Sequence, residues 1–118
     1  MPTTENDVKS FLNEFKVKMG IWQILFRTDR DKNLQTLADL EITQSAARAI
    51  IEKLDVVDFS EGPLEEKMHG IGSMWVFGKE VKKKEIYIKV AMGHEKLPVI
   101  CVSFHVASKK MSYPFKNI

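Results

Sequence analysis

Four side chains able to transfer protons or bind an anion occur at alternate positions in the C-terminal half of the chain. They are the phenol of Tyr87, the ammonium of Lys89, the hydroxyl of Ser103 and the imidazole of His105. Histidine changes charge near neutral pH, so His105 is suited to act as a base or as an acid. Lys89 supplies positive charge, and Tyr87 can donate a proton or position an anion. This set predicts acid–base chemistry on an anionic group such as a phosphate.

These groups meet the requirements of RNA cleavage without a metal ion. In that reaction a base removes the proton of a ribose 2′-OH, which then attacks the neighbouring phosphate. An acid protonates the departing 5′-oxygen, and a cation stabilises the negative charge of the transition state. We therefore consider Tyr87, Lys89 and His105 candidate catalytic residues and Ser103 a candidate RNA-binding residue. The sequence contains no helical H-E-x-x-H pattern, Cys-His cluster or Gly-rich phosphate loop, so it predicts neither a metal nor a cofactor.

Three strand-like runs are expected to position these residues, at 74–79, 85–92 and 98–106. Because successive side chains of a strand point to opposite faces, each of the last two runs has one apolar and one functional face. The predicted apolar face contains Ile86, Ile88, Val90, Ile100, Val102 and Phe104. The predicted functional face contains Tyr87, Lys89, Cys101, Ser103 and His105. We predict one antiparallel sheet over 74–106, with its functional face turned away from the helices.

The N-terminal half has the periodicity of helices. Apolar residues over 8–19 recur at the spacing of one helix face, and this helix is predicted to end at Gly20. Residues 21–27 are β-branched and aromatic enough for a strand, although a short buried helix fits the same pattern. A short second helix is expected over 34–40, and a third helix is expected to begin at an N-cap formed by Thr43.

The order of these elements predicts the fold class. Turn residues at 60–63 open a polar segment that we expect to be a loop as far as Gly72. Helices followed by strands predict an α+β domain, in which N-terminal helices pack on one face of a C-terminal antiparallel sheet. The chain of 118 residues corresponds to a single domain, residues 1–118.

Composition excludes several classes of protein. A chain that is 44% hydrophobic and 29% charged is neither disordered nor of low complexity. Cys101 is the only cysteine, which excludes an internal disulfide framework and multi-cysteine metal sites and is typical of the reducing cytoplasm. The polar start and the absence of a long apolar run predict a soluble, cytoplasmic protein with no membrane partner.

Charge is divided unevenly along the chain. Residues 1–66 contain eight Lys or Arg against thirteen Asp or Glu, whereas residues 67–118 contain ten Lys against three Glu. A basic half indicates an anionic partner, most commonly nucleic acid, although a solvated lysine surface explains it equally well. An aromatic residue that can stack on bases and lysines that can contact phosphates are further RNA-binding candidates. They are Trp75, Lys79, Lys82, Lys83 and Lys84.

Several segments, taken in order and spacing, resemble the MqsR family of toxins from bacterial toxin–antitoxin pairs. They are DVKSFLNEF, LQTLADLEITQSAARAIIEKLDVVDF, MWVF, EIYIKV and VICVSFH, and together they span residues 7 to about 105. This family is similar in fold to the RelE-type toxins and consists of small endoribonucleases, or mRNA interferases. The resemblance implies a hydrolase that cleaves mRNA without a metal ion, arrests growth when unopposed, and is neutralised by a folded antitoxin encoded beside it.

The resemblance also assigns roles by position. The family's tyrosine falls on Tyr87, and the polar residue of its last strand falls on His105, where other members have lysine. The family's lysine after an Asp-Phe pair has no direct counterpart. Glu61 lies near that place, and Lys67 is the nearest cation and so a further catalytic candidate. Val76 stands where a glutamine can follow the strand tryptophan.

A winged helix-turn-helix regulator of transcription is the alternative interpretation. Residues 34–54 can form a helix-turn-helix that presents Gln44, Ser45 and Arg48 to DNA, with the hairpin over 74–90 as the wing. The recognition helix would then contain few cations, and about twenty residues would separate it from the wing. A non-catalytic interaction or immunity protein is a third interpretation, because each candidate residue type is more often structural than catalytic.

Overall fold

The structure is a computed structural model that describes residues 2–67 and 70–116. Within these ranges it contains helices α1 (Glu5–Trp22), α2 (Asp31–Leu40) and α3 (Gln44–Glu52) and strands β1 (Ile24–Phe26), β2 (Phe59–Leu64), β3 (Met74–Val81), β4 (Lys84–Ala91) and β5 (Val99–Val106). The strands form one sheet in the order β1-β5-β4-β3-β2. The predicted α+β arrangement is confirmed. The sheet is mixed, because β1 pairs with β5 in parallel while the other neighbours are antiparallel.

Helix α1 covers one face of the sheet with the apolar side chains that its periodicity predicts. The ring of Phe11 stacks on Trp75 of β3 with a centroid distance of 4.5 Å, and the ring of Phe77 lies 6.3 Å from that of Phe11. The main core also includes apolar residues from α2, α3 and the strands, among them Leu37, Ile51, Ile86, Ile88 and Phe104. The opposite face of the sheet, which we call the open face, is therefore the one available for function. No helix in the described ranges is both long and apolar enough to cross a bilayer.

Local hydrogen bonds determine where the first helices begin and end. α1 continues two residues past the predicted end at Gly20, since Gln23 adopts a positive φ of 72° and donates its N–H to Met19 O at 2.8 Å. The strand predicted over 21–27 is consequently reduced to β1. The predicted N-cap of α3 is confirmed, because the Thr43 hydroxyl accepts the N–H of Ala46 at 3.0 Å.

The predicted loop over 60–72 is wrong in its first part, which forms β2. The strand tolerates Gly62 and Pro63 because it lies at the sheet edge, where one side needs no hydrogen-bond partner. Its pairing with β3 shifts on either side of Glu61, which stands opposite Val76. Residues 68 and 69 of the predicted loop lie outside the described residues.

A β-bulge at Val102 makes part of the face prediction wrong. Lys89 pairs with Ser103, but the next residue, Val90, pairs with Cys101, so Val102 is an extra residue in β5. The alternation of side chains therefore reverses along β5. Cys101 joins the main core, whereas Ile100 and Val102 join a second apolar cluster with Ile71, Ala91 and Met74. Beyond the bulge, Ser103 and His105 keep the predicted orientation relative to β4.

Candidate functional site

Tyr87 and His105 form a stacked pair at the centre of the open face. They are directly opposite in the β4–β5 register, and their ring centroids are 5.1 Å apart with an interplanar angle of 12°. The prediction that both side chains lie on the face opposite α1 is thereby confirmed. A proton donor and a proton acceptor are thus held side by side on adjacent strands.

A backbone contact determines which nitrogen of His105 is available. Nδ1 lies 3.1 Å from the carbonyl oxygen of Val106. A carbonyl oxygen only accepts hydrogen bonds, so Nδ1 carries the proton in this contact. The neutral ring then keeps the lone pair of Nε2, which is able to accept a proton from a substrate.

Two cations flank the ring pair. Lys89 is opposite Ser103 in the same register, and its Nζ lies 5.6 Å from the centroid of the Tyr87 ring. Arg30, at the N-cap of α2, donates from Nη1 to the Ser103 hydroxyl at 3.1 Å. Arg30 was not among the predicted site residues, and its only signal in the sequence is its place in the charged segment 29–32, before the helix predicted over 34–40. The buried Ser103 hydroxyl thus holds a guanidinium beside the pair.

Glu61 contributes the negative charge of the site. Its partner in β3 is Val76, whose own partner in β4 is Lys89, so the three residues lie in one row across the sheet. The glutamate approaches from the edge strand β2, in a segment predicted to be a loop. Val76, at the position where the MqsR family can have a glutamine, is fully buried and supplies no polar group.

Burial and the neighbouring charges change the pKa values of Tyr87 and Lys89. Desolvation by burial raises the pKa of Tyr87, the carboxylate of Glu61 raises it further, and Arg30 opposes the rise. Desolvation lowers the pKa of Lys89, Arg30 lowers it further, and Glu61 opposes the fall. Tyr87 is therefore held in its protonated, hydrogen-donating form, and Lys89 gives up its proton more readily than an exposed lysine does.

A titration of Tyr87 checks this electrostatic picture. The two tyrosines are Tyr87 and Tyr113, so the absorbance titration of wild type minus that of Tyr87→Phe isolates the Tyr87 phenolate, and we expect its midpoint above the ordinary 10.0. Glu61→Gln should lower the midpoint, since it removes a negative charge that disfavours the phenolate. Glu14→Gln, on the exposed side of α1, should leave it unchanged. With Glu61 intact, a midpoint at or below 10.0 would contradict the burial of Tyr87 near the Glu61 carboxylate.

Two predicted RNA-binding residues lie on the wrong face for this site. Trp75 packs beneath α1 against Phe11, so its ring is part of the core boundary. Lys79 is paired with the carboxylate of Asp58, with Nζ 3.3 Å from both oxygens. Neither side chain joins Tyr87 and His105 on the open face.

The other predicted lysines are also separate from the ring pair. Lys67 forms an exposed ion pair with Glu65 at 3.9 Å, and no described contact connects it to Tyr87 or His105. Lys82 donates to the carbonyl oxygen of Leu40 at 2.6 Å and so caps the end of α2. Lys83 and Lys84 are exposed at the β3–β4 turn, and Lys84 is three residues, or about 10 Å of strand, from Tyr87.

The helix-turn-helix arrangement is present in outline only. α2 and α3 follow each other with a short turn, and Gln44 and Ser45 are exposed. Arg48, however, points toward α1, where its Nη2 donates to Met19 O at 3.4 Å. The hairpin of β3 and β4 lies inside the five-stranded sheet and does not project as a wing.

Among residues 2–67 and 70–116, no group of three or more His, Cys, Asp or Glu side chains is arranged to hold a metal ion. The comparisons with known proteins add no assignment to this geometry. No protein-family model, curated protein or solved structure matches the chain.

Proposed function

We propose that this protein is an endoribonuclease of the toxin class, which cleaves mRNA without a metal ion and is restrained by a cognate antitoxin. The observation that carries the proposal is the stacked Tyr87–His105 pair, flanked by Lys89 and Arg30 on one open sheet face. Acid, base and cations are the groups that 2′-OH attack on a phosphate requires. The resemblance to the MqsR family supports the same class of reaction.

In the proposed reaction, Nε2 of His105 takes the proton of the ribose 2′-OH. The 2′-oxygen forms a bond to phosphorus as the bond from phosphorus to the 5′-oxygen breaks. Tyr87, whose pKa is raised by burial, donates its proton to the departing 5′-oxygen. The products are a 2′,3′-cyclic phosphate and a 5′-hydroxyl.

The two cations have separable roles in this proposal. Arg30 is held by Ser103 and presents a planar guanidinium, which suits bidentate contact with phosphate oxygens. Lys89 lies over the Tyr87 ring and stabilises the charge that develops on the phosphate in the transition state. The partial burial of Lys89 strengthens this interaction, because water screens it less.

Expression and end-group analysis test the proposal. Expressed alone in bacteria, the protein should arrest growth, and the purified protein should cleave mRNA in the presence of EDTA. The fragments should end in 2′,3′-cyclic phosphate and begin with 5′-hydroxyl. Loss of cleavage on adding EDTA, or 3′-hydroxyl and 5′-phosphate ends, would contradict 2′-OH attack.

The adjacent gene tests the proposed partner. A small neighbouring reading frame that encodes a folded antitoxin should restore growth when it is expressed together with this protein. The two proteins should also purify as one complex without cleavage activity. Failure of every neighbouring product to restore growth would contradict the proposed toxin–antitoxin pair.

A further inference from the structure

The chain does not leave the sheet when β5 ends. Residues 107–116, which we call the C-terminal strap, turn back toward β4 and are held by Glu85. The Ala107 N–H donates to the backbone oxygen of Glu85 at 2.9 Å. The Glu85 carboxylate then accepts the N–H of Met111 at 3.0 Å and the hydroxyl of Tyr113 at 2.7 Å. Both oxygens of one side chain are therefore used to hold the strap.

Two further contacts anchor the end of the strap. Tyr113 lies over Gly78 of β3, where an added Cβ would be only 2.1 Å from the tyrosine oxygen. This position therefore needs a residue without a side chain. Phe115 stacks on Phe59 at a centroid distance of 5.5 Å and an angle of 19°, and so packs against the main core. The strap is thus fixed beside the ring pair.

The strap closes one side of a groove on the open face. The groove has a volume of about 350 Å³ and is lined by Ser60, Glu61 and Tyr87 on one side and by strap residues 107–112 on the other. The exposed Lys109 and Lys110 lie in the strap wall. Neither is paired with a carboxylate in the part of the chain that the structure describes. Two lysines without an ion-pair partner among the described residues therefore share a groove with Tyr87, and Glu61 is the acidic group of its lining.

We propose that this groove holds the nucleotide next to the cleaved phosphate, and that Lys109 and Lys110 bind the following phosphate of single-stranded RNA. This inference rests on the ribonuclease function proposed above. The groove is at the small end of the range of ligand cavities, roughly 300–1,000 Å³, which suits one nucleotide. Lysine binds phosphate as a point charge, and single strands with splayed bases are the form of RNA that such grooves recognise. The strap would make the enzyme prefer substrates with more than one phosphate.

Substrate length tests the proposal. We compare a dinucleotide, which has only the cleaved phosphate, with a longer oligonucleotide that contains the same step. Lys109→Ala/Lys110→Ala should raise KM for the longer substrate about tenfold with kcat nearly unchanged, because uniform binding is lost. Cleavage of the dinucleotide should be unaffected. The salt dependence of binding to the longer substrate should weaken by about 1.4 in slope, or about 0.7 for each lost contact.

A matched pair of lysines controls for net charge. Lys9 and Lys53 are exposed and lie on α1 and at the end of α3, so Lys9→Ala/Lys53→Ala changes the total charge equally. This variant should keep the preference for the longer substrate. Equal preference in the strap variant and in wild type would overturn the inference and leave the ribonuclease function in place. If wild type cleaves neither substrate, the proposed function fails as well.

A second variant moves the strap without removing its lysines. Gly78→Ala places a methyl group against Tyr113 and should reproduce the loss on the longer substrate. Gly20→Ala, which meets no heavy atom within 4 Å, is the control and should behave as wild type. Tyr113→Phe keeps the ring and removes the hydroxyl contacts to Glu85 and to Met111 Sδ, so it should give a smaller loss in the same direction. If Gly78→Ala and Tyr113→Phe both keep the wild-type preference for the longer substrate, the strap does not position the RNA.

Discussion

His105→Ala and Tyr87→Phe are each expected to slow RNA cleavage about 10²–10⁴-fold, the usual effect of losing a general base or acid. Tyr87→Phe keeps the ring that stacks on His105 and removes only the hydroxyl, so the fold should be unchanged. Each variant should also relieve growth arrest when it is expressed alone. Cleavage rates of a defined RNA at saturating substrate, together with growth curves, provide the measurement.

The combination of the two changes distinguishes one shared step from two independent effects. If the two groups act in the same step, the double variant should lose far less than the product of the single losses. His105→Lys, which introduces the residue that MqsR toxins have at the corresponding position, should retain part of the activity with an optimum at higher pH. His94→Ala, in an exposed loop, is the matched control and should remain fully active. Full toxicity of both single variants would show that the ring pair is not the catalytic centre.

Asn33→Ala is expected to lower the free energy of unfolding by about 2–4 kcal/mol, because it leaves buried backbone groups without partners. Asn33 is only 3% exposed. Its Nδ2 donates to Arg27 O at 3.0 Å and to Val102 O at 3.1 Å, and its Oδ1 accepts the N–H of Phe104 at 3.0 Å. The side chain thus takes the place of a strand where β1 has ended. Urea unfolding monitored by circular dichroism measures the change.

Two further variants sharpen the Asn33 prediction. Asn13→Ala, on the exposed side of α1, should stay within about 0.5 kcal/mol of wild type. Asn33→Asp keeps an acceptor for Phe104 but faces two carbonyl oxygens with a group that has no donor when ionised, so it should destabilise at least as much as alanine. A change below 0.5 kcal/mol for Asn33→Ala would mean that the edge of β5 is satisfied without this side chain.

The same side chain connects stability to the site. Asn33 and Arg30 are one helical turn apart at the start of α2, and both bind β5. Loosening this contact would release Arg30 from Ser103 and disturb the strand that presents His105. We therefore expect Asn33→Ala to lose activity below its unfolding temperature, with Lys89 and Tyr87 still in place on β4.

The sequence by itself determined the elements whose signals are local. The side-chain alternation of a strand is a property of a few consecutive residues, so it was sufficient to place Tyr87 with Lys89 and Ser103 with His105. Helical spacing and the Thr43 cap are local in the same sense, and both were predicted correctly. Residues 86–89 of β4 pair with residues 103–106 of β5 without a bulge. In this segment, placing the apolar residues of both strands on the core face gives the observed pairing.

Only the tertiary structure decided which distant groups join the ring pair. Arg30 and Glu61 reach it from a helix terminus and an edge strand, and their positions depend on long-range docking that no local pattern encodes. The bulge at Val102 reverses the faces of β5, since one unpaired residue shifts the register of every residue before it. Lysines that look equivalent in the sequence differ because folding gives Lys82 a helix-end carbonyl as partner and leaves Lys110 facing a groove. The composition of the site follows from contacts between segments far apart in the chain, which are set by packing and hydrogen bonding of the whole domain.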